Sequence, residues 1–306
     1  MNDDYLWDRS GPPDLEVARL EQRLAPLRYR HRLPPRPSRV GWVGAGVLMA
    51  AAAGLLLMVT PVTRNSLWQV GGAKLREGQT VRTGNAAVRL EADEIGRVDL
   101  AANSVLRTAG GRRLALERGE LHAFIWAPAR QFVVDTPSAR AVDLGCEYTL
   151  NVDQKGDGVL RVQMGWVAFQ VGDREAFIPA GATCVTRRRG GPGIPFFEDA
   201  SAGLRGGVQG FERGDRRALS SLLAAARPRD GLTLWHLLTR VPESDRRAVF
   251  DRFAELVQLP AGVSRDAVLH RDPRAIDQCW NALDLENTGW WRGWERKWSE
   301  SVDGRR

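Results

Sequence analysis

The sequence predicts a mainly β domain that is preceded by one transmembrane helix and followed by a small all-α region. Three observations lead to this fold class. An uncharged apolar run lies near residue 50, short alternating segments with glycine and proline turns fill residues 65–190, and helical periodicity begins after residue 213. The 306 residues, 43% of them hydrophobic, leave room for roughly two folded domains.

The apolar run from Gly41 to Thr60 contains no charged side chain. At about 1.5 Å rise per residue, a helix of this length crosses a hydrocarbon core of roughly 30 Å. We therefore predict a transmembrane helix over residues 40–61. A cleaved signal peptide and a buried core helix are the alternatives. The polar residues ahead of the run argue against the first, and its length argues against the second.

Arginines are concentrated on the N-terminal side of this run, where no acidic residue lies among them. They are Arg28, Arg30, Arg32, Arg36 and Arg39. Because positively charged flanks stay inside, we predict a single-pass protein of the inner (cytoplasmic) membrane with a cytoplasmic N-terminus and a periplasmic or extracytoplasmic bulk. The formal net charge of +7 is then explained by topology and by contact with anionic lipid, so no nucleic-acid partner is predicted.

The predicted cytoplasmic tail, residues 1–39, contains one amphipathic helix. Its apolar residues recur at helical spacing and are Val17, Leu20, Leu24 and Leu27. Such a helix is too short to bury a core by itself. We predict that this apolar face docks on a partner protein. A helix lying on the membrane surface and a frayed tail are the alternatives.

Residues 65–190 alternate apolar and polar positions in short segments that are separated by turn signals such as Thr83-Gly84-Asn85 and Gly110-Gly111. Many short strands with this punctuation are typical of a sandwich, a jelly roll or a barrel. No helical pattern interrupts them, which argues against a parallel α/β sheet.

The sequence after the predicted strands differs from them in composition and periodicity. Residues 191–212 are rich in glycine and predict a linker. Residues 213–306 predict a helical domain, in which Trp290, Trp294 and Trp298 fall on one stripe. This stripe could bind glycan, lie at the membrane interface or pack against the other C-terminal helices, and packing is favoured. The predicted helices cover 216–227, 232–240, 244–259, 264–269, 273–285 and 290–300.

Motifs of catalysis are missing from the sequence. It contains no GxSxG, HExxH or GxxxxGK[ST] motif, and His236 follows Trp235 on an apolar helix, where a packed core histidine is expected. The sequence therefore predicts no enzyme activity, no cofactor and no metal site. In an oxidising compartment Cys146 and Cys184 could form a disulfide and leave Cys279 over; three separate buried thiols are the alternative.

A series of short motifs, in order along the chain, resembles a FecR-type domain over roughly residues 70–187. The motif GQTVRTG at 78–84 is similar to the opening of that family, and VDLAANS at 98–104 is similar to its segment ending in asparagine and serine. The remaining matches are LERGEL at 116–121, FVVDTP at 132–137, VDLGCEY at 142–148, VQMGWVAF at 162–169 and IPAG at 178–181.

This resemblance implies a jelly-roll-like β domain beyond the inner membrane. It also implies a transmembrane signalling regulator that relays an envelope signal to a cytoplasmic sigma factor or a similar partner, with the tail helix as the contact. Cys146 stands where the family usually has threonine, and Cys184 follows the turn at 178–181, which favours the disulfide. The helical C-terminal region differs from that of the iron-uptake regulators, which argues against ferric-siderophore sensing.

A different class of function remains open from the sequence. The chain could be a structural or adhesive envelope protein that binds glycan or another envelope protein through the β domain or the tryptophan stripe. In that case the tail would serve only as an anchor, and removal of residues 1–36 would leave the function intact.

Overall fold

In the computed structural model, residues 65–285 are described, and they form β-strands followed by helices. The predicted tail with its face of Val17, Leu20, Leu24 and Leu27 lies outside these residues. So do the predicted transmembrane helix and the tryptophan stripe. Within residues 65–285, no helix has both the length and the apolar character needed to cross a membrane.

The strands are short, as the turn signals predict, with one exception of thirteen residues. They are β1 (Asn65–Val70), β2 (Ala73–Arg76), β3 (Thr80–Arg82), β4 (Val88–Ala92), β5 (Gly96–Leu100), β6 (Val105–Thr108), β7 (Arg113–Ile125), β8 (Val133–Asp135), β9 (Arg140–Asp143), β10 (Glu147–Val152), β11 (Gly158–Met164), β12 (Trp166–Val171), β13 (Arg174–Pro179), β14 (Ala182–Arg187), β15 (Gly191–Pro192) and β16 (Phe196–Phe197).

Two sheets share the long strand β7. The first sheet contains the second half of β7, which pairs with β5 and β10, and it continues through β11 to β14. The second sheet contains the first half of β7, which pairs with β6 and β8, and it continues through β9 and β12 to β13 at its edge. Only the β7–β8 pairing is parallel among the described strands. The prediction of a mainly β domain followed by helices is confirmed, and the pairing is mainly antiparallel, while the jelly-roll assignment stays a prediction.

Gly119 marks the point where β7 passes from one sheet to the other. Its φ is 96°, in the left-handed region that favours glycine. A Cβ at this position would lie 2.1 Å from the Ser104 hydroxyl oxygen, so a larger residue would displace the neighbouring strand. The β7 strand thus changes sheets at the one residue that has no side chain.

Buried side chains on alternate positions of the strands form the core between the sheets. Strand β10 shows the pattern clearly, since Tyr148, Leu150 and Val152 are buried while the residues between them are half-buried. This period of two follows from the pleat, which directs successive side chains to opposite faces.

The helices are α1 (Ala202–Glu212), α2 (Ala218–Ala225), α3 (Gly231–Arg240), α4 (Glu243–Leu256), α5 (Arg265–Leu269) and α6 (Pro273–Asn281), with a 3₁₀ turn at Pro228–Asp230. The prediction of a glycine-rich linker over 191–212 is wrong, because β15, β16 and α1 occupy it. Two of the glycines allow close packing on α2: a Cβ on Gly207 would lie 2.7 Å from Cβ of Leu222, and a Cβ on Gly210 would lie 2.8 Å from Cβ of Ala218.

An aromatic cluster joins the helices to the second sheet. The Trp280 ring on α6 lies 4.6 Å from Trp235 on α3, 5.5 Å from Phe177 on β13 and 5.9 Å from Trp166 on β12, measured between centroids. These rings are all buried. The described strands and helices belong to one compact unit, so the helical region does not stand apart from the β domain.

Candidate functional site

The two cysteines predicted to form a disulfide lie in different parts of the first sheet. Leu150 pairs with Leu160, which pairs with Cys184, whereas Cys146 lies four residues before Leu150. Strand rise and strand spacing then separate the two Cα atoms by roughly 16 Å. A disulfide needs a Cα separation below about 7 Å. The predicted bridge is therefore wrong, and all three cysteines are free and buried.

The family-like motifs form turns and hydrogen bonds within the domain. The Thr83 hydroxyl donates to the Ala101 carbonyl at 2.7 Å and accepts from the Ser104 amide at 2.8 Å. The Ser104 hydroxyl accepts from the Glu120 amide at 3.0 Å. Three motifs that are far apart in sequence thus meet at one point. Their polar residues satisfy buried backbone groups, which is a structural role.

A second group of motif residues surrounds the buried carboxyl of Asp143, which is 1% exposed. This carboxyl accepts hydrogen bonds from the Gly145 amide at 2.7 Å and from the Cys146 thiol. Burial raises the pKa of Asp143 to about 7, and these two hydrogen bonds lower it only in part. Burial also raises the pKa of the Cys146 thiol well above its usual value, and the charge of Asp143 adds to this. The thiol is therefore not a reactive thiolate.

Side chains of α3 cover the open edge of β13. The Phe177 amide donates to Nε2 of His236 at 3.1 Å, and Arg240 donates to the Glu175 carbonyl at 2.9 Å. Because Nε2 accepts, the imidazole proton lies on Nδ1, which donates to the Leu232 carbonyl at 2.9 Å. Burial, with a smaller effect of Arg240, lowers the pKa of His236 to about 3. His236 is a neutral core histidine, as predicted.

A cleft of about 520 Å³ opens beside this edge. Its apolar walls include Phe177, Phe211 and Trp235, and its polar lining includes Arg174, Arg240 and Arg271. No sequence motif predicts this group, because the three arginines come from the start of β13, the end of α3 and the turn after α5. Only the packing of the helices on the sheet edge brings them together.

Among residues 65–285, no three histidine, cysteine or carboxylate side chains come together as metal ligands would. In the first sheet, Nε2 of His122 and Oε1 of Glu147 are 2.9 Å apart. Both side chains are about one-third exposed, which is typical of a solvated cross-strand pair.

Comparison with known proteins identifies the β domain. Residues 79–168 match the model of the FecR protein family, so the resemblance inferred from the motifs is confirmed over this segment. The match covers less than one-third of the chain. No curated protein gives a match.

Two crystal structures, each of "a putative anti-sigma factor from Parabacteroides distasonis ATCC 8503", are similar to this chain at 17% and 18% identity with a TM-score of 0.35. The similarity covers 40% of this chain and 61% of the other. It thus extends over about three-fifths of the length of those structures.

Proposed function

We propose that this chain is a non-enzymatic transmembrane signalling regulator. In this proposal it is a single-pass protein of the inner membrane with a cytoplasmic N-terminus, and its β domain has the jelly-roll-like form that the family resemblance implies. It relays an envelope signal to a cytoplasmic sigma factor or a similar partner. The partner contacts the tail helix through Val17, Leu20, Leu24 and Leu27.

The observation that carries the proposal is the FecR match over residues 79–168. The order of a basic tail, an apolar run and this domain along the sequence agrees with a regulator that acts across a membrane. The described part of the domain supports a non-catalytic role, because its motif residues bind backbone groups of the domain itself.

A signal received by the β domain has to reach the tail through one helix. A single helix has no second stable fold, so the signal changes the association, tilt or proteolysis of the chain. Each of these changes alters the exposure of the tail without rearranging the β domain. The proposal therefore places recognition of the partner in residues 14–31 and recognition of the signal in the extracytoplasmic part.

Site-specific cross-linking in the native membrane tests the contact. A photoreactive amino acid at Arg28, one helical turn after Leu24, lies beside the proposed docking face. We expect it to capture a sigma factor. Replacing Leu20 and Leu24 with Asp should abolish capture, because an apolar contact cannot accommodate two buried carboxylates.

The matched control places the same two negative charges on the opposite side of the helix, as Ala18→Asp and Gln22→Asp. Capture should survive in this variant. If it also survives Leu20→Asp and Leu24→Asp, the docking face is assigned wrongly. If only lipid is captured while the β domain cross-links to envelope components, the tail is an anchor and the regulator proposal fails.

A further inference from the structure

Three guanidinium groups in the cleft beside β13 lack carboxylate partners. Arg174 donates to the Gly190 carbonyl at 3.0 Å, and Arg240 donates to the Pro192 carbonyl at 3.2 Å. Across residues 65–285, neither these two nor Arg271 forms an ion pair. A guanidinium that is bonded only to carbonyl groups keeps its full charge, and partial burial strengthens its field.

The charge on Arg240 is held in an unfavourable environment. Its pKa is lowered to about 10, mainly by burial and secondly by repulsion from Arg174. An anion placed between these two guanidinium groups would raise the pKa of Arg240 again, since an opposite charge favours the charged form. The repulsion between Arg174 and Arg240 therefore favours the binding of a negatively charged group in the cleft.

Two carboxylates also line the cleft, and neither pairs with the arginines. Asp173 is exposed in the turn between β12 and β13, where solvent and salt screen its charge. The Glu175 side chain accepts a hydrogen bond from the amide of Gln170. The half-buried Glu212 carboxylate accepts from the Ile194 amide, and its charge favours the charged form of Arg240 without forming an ion pair with it. The arginine charges thus remain available at the opening of the cleft.

The backbone at Arg271 adds an independent observation. Its φ is 57°, in the left-handed region, and it follows the C-terminal end of α5. Glycine is the usual residue in this position at the end of a helix. Here the position instead carries a long cationic side chain that lines the cleft.

We propose that this cleft binds a small organic anion. The apolar body of the ligand packs on the half-buried Phe211, and its carboxylate or phosphate group is held by Arg174 and Arg271. The planar fork of arginine suits both head groups. A volume of about 520 Å³ lies within the range of roughly 300–1,000 Å³ that small-molecule sites occupy. This inference does not depend on the proposed regulator function.

Calorimetric titration of the full chain in detergent tests the site with three probes of one shape. These are 1-naphthoate, 1-naphthyl phosphate and the neutral 1-naphthalenemethanol. At least one anion should bind, and the neutral probe should bind at least tenfold more weakly. The anion that binds more tightly identifies the preferred head group. Affinity should also fall as salt concentration rises.

The variants separate binding from folding. Arg271→Gly should keep the fold, because glycine favours the backbone conformation found there, yet weaken anion binding about tenfold by loss of one charge-assisted hydrogen bond. Arg174→Gln should have a similar effect, and exposed Arg247→Gln on α4 is the control that should change nothing. The proposal is overturned if neither anion binds, if the neutral probe binds equally well, or if folded Arg271→Gly binds as the parent does.

Discussion

Replacing Asp143 with Asn should flatten the pH dependence of stability. The carboxyl is buried and forms no ion pair among the described residues. Its pKa rises from 3.8 to about 7, with burial as the main cause. The folded chain therefore keeps a proton that the unfolded chain loses near pH 4, and stability falls as the pH rises through this window.

The size of the effect follows from the two pKa values. A difference of about three pH units at about 1.4 kcal/mol per unit gives roughly 4 kcal/mol, which is lost between about pH 4 and pH 7. Asparagine cannot ionise, yet its carbonyl can still accept the hydrogen bond of the Gly145 amide. The Asp143→Asn variant should therefore lose little stability over the same window.

Urea unfolding of residues 62–306 at pH 5 and pH 8 measures this difference. The free energy of unfolding should fall with pH in the parent and stay nearly level in Asp143→Asn. Exposed Asp93→Asn is the control and should behave as the parent does. Parallel pH profiles for the parent and Asp143→Asn would refute the reasoning, because they would mean that the buried carboxyl does not titrate differently on folding.

Four other changes test the packing of the helices and the state of the thiols. Gly207→Ala should lower the free energy of unfolding by about 1–3 kcal/mol, because its Cβ would contact Leu222 at 2.7 Å. Gly206→Ala meets no atom within 4 Å and should raise stability by up to about 1 kcal/mol, so equal effects in urea unfolding would contradict the packing. His236→Leu leaves the Phe177 amide without its acceptor, which should cost about 1–3 kcal/mol and speed hydrogen exchange of that amide in NMR. Dithiothreitol should leave the melting temperature unchanged, since the thiols are free, and a drop of several degrees would reveal a disulfide.

The sequence predicted the strands and most helices well, because their signals are local. The turn predicted at Thr83-Gly84-Asn85 separates β3 from β4, and the helix predicted at 232–240 is α3, which begins one residue earlier. Periodicity of two and of 3.6 residues suffices for such elements. The family motifs were also recognisable, since each is a short segment with a characteristic turn.

The failures concern contacts between distant segments. Glycine predicted a linker where α1 forms, because spacing along the chain does not show that Gly207 packs against a second helix. The predicted disulfide between Cys146 and Cys184 depended on strand register, which the spacing of residues along the sequence does not specify. The cleft of Arg174, Arg240 and Arg271 depends on three elements packing together, and no motif records it.

Strand β7 has a consequence for engineering this domain. Because its two halves pair in different sheets, each sheet needs the same unbroken backbone. A cut within Arg113–Ile125 would leave both halves of a split protein without a central strand, so complementation there should fail. New chain ends belong in an exposed hairpin turn, such as the one between β12 and β13 at Gly172 and Asp173, where no ladder hydrogen bonds are broken. The domain should thus tolerate new chain ends in the turns at its edges but not within β7.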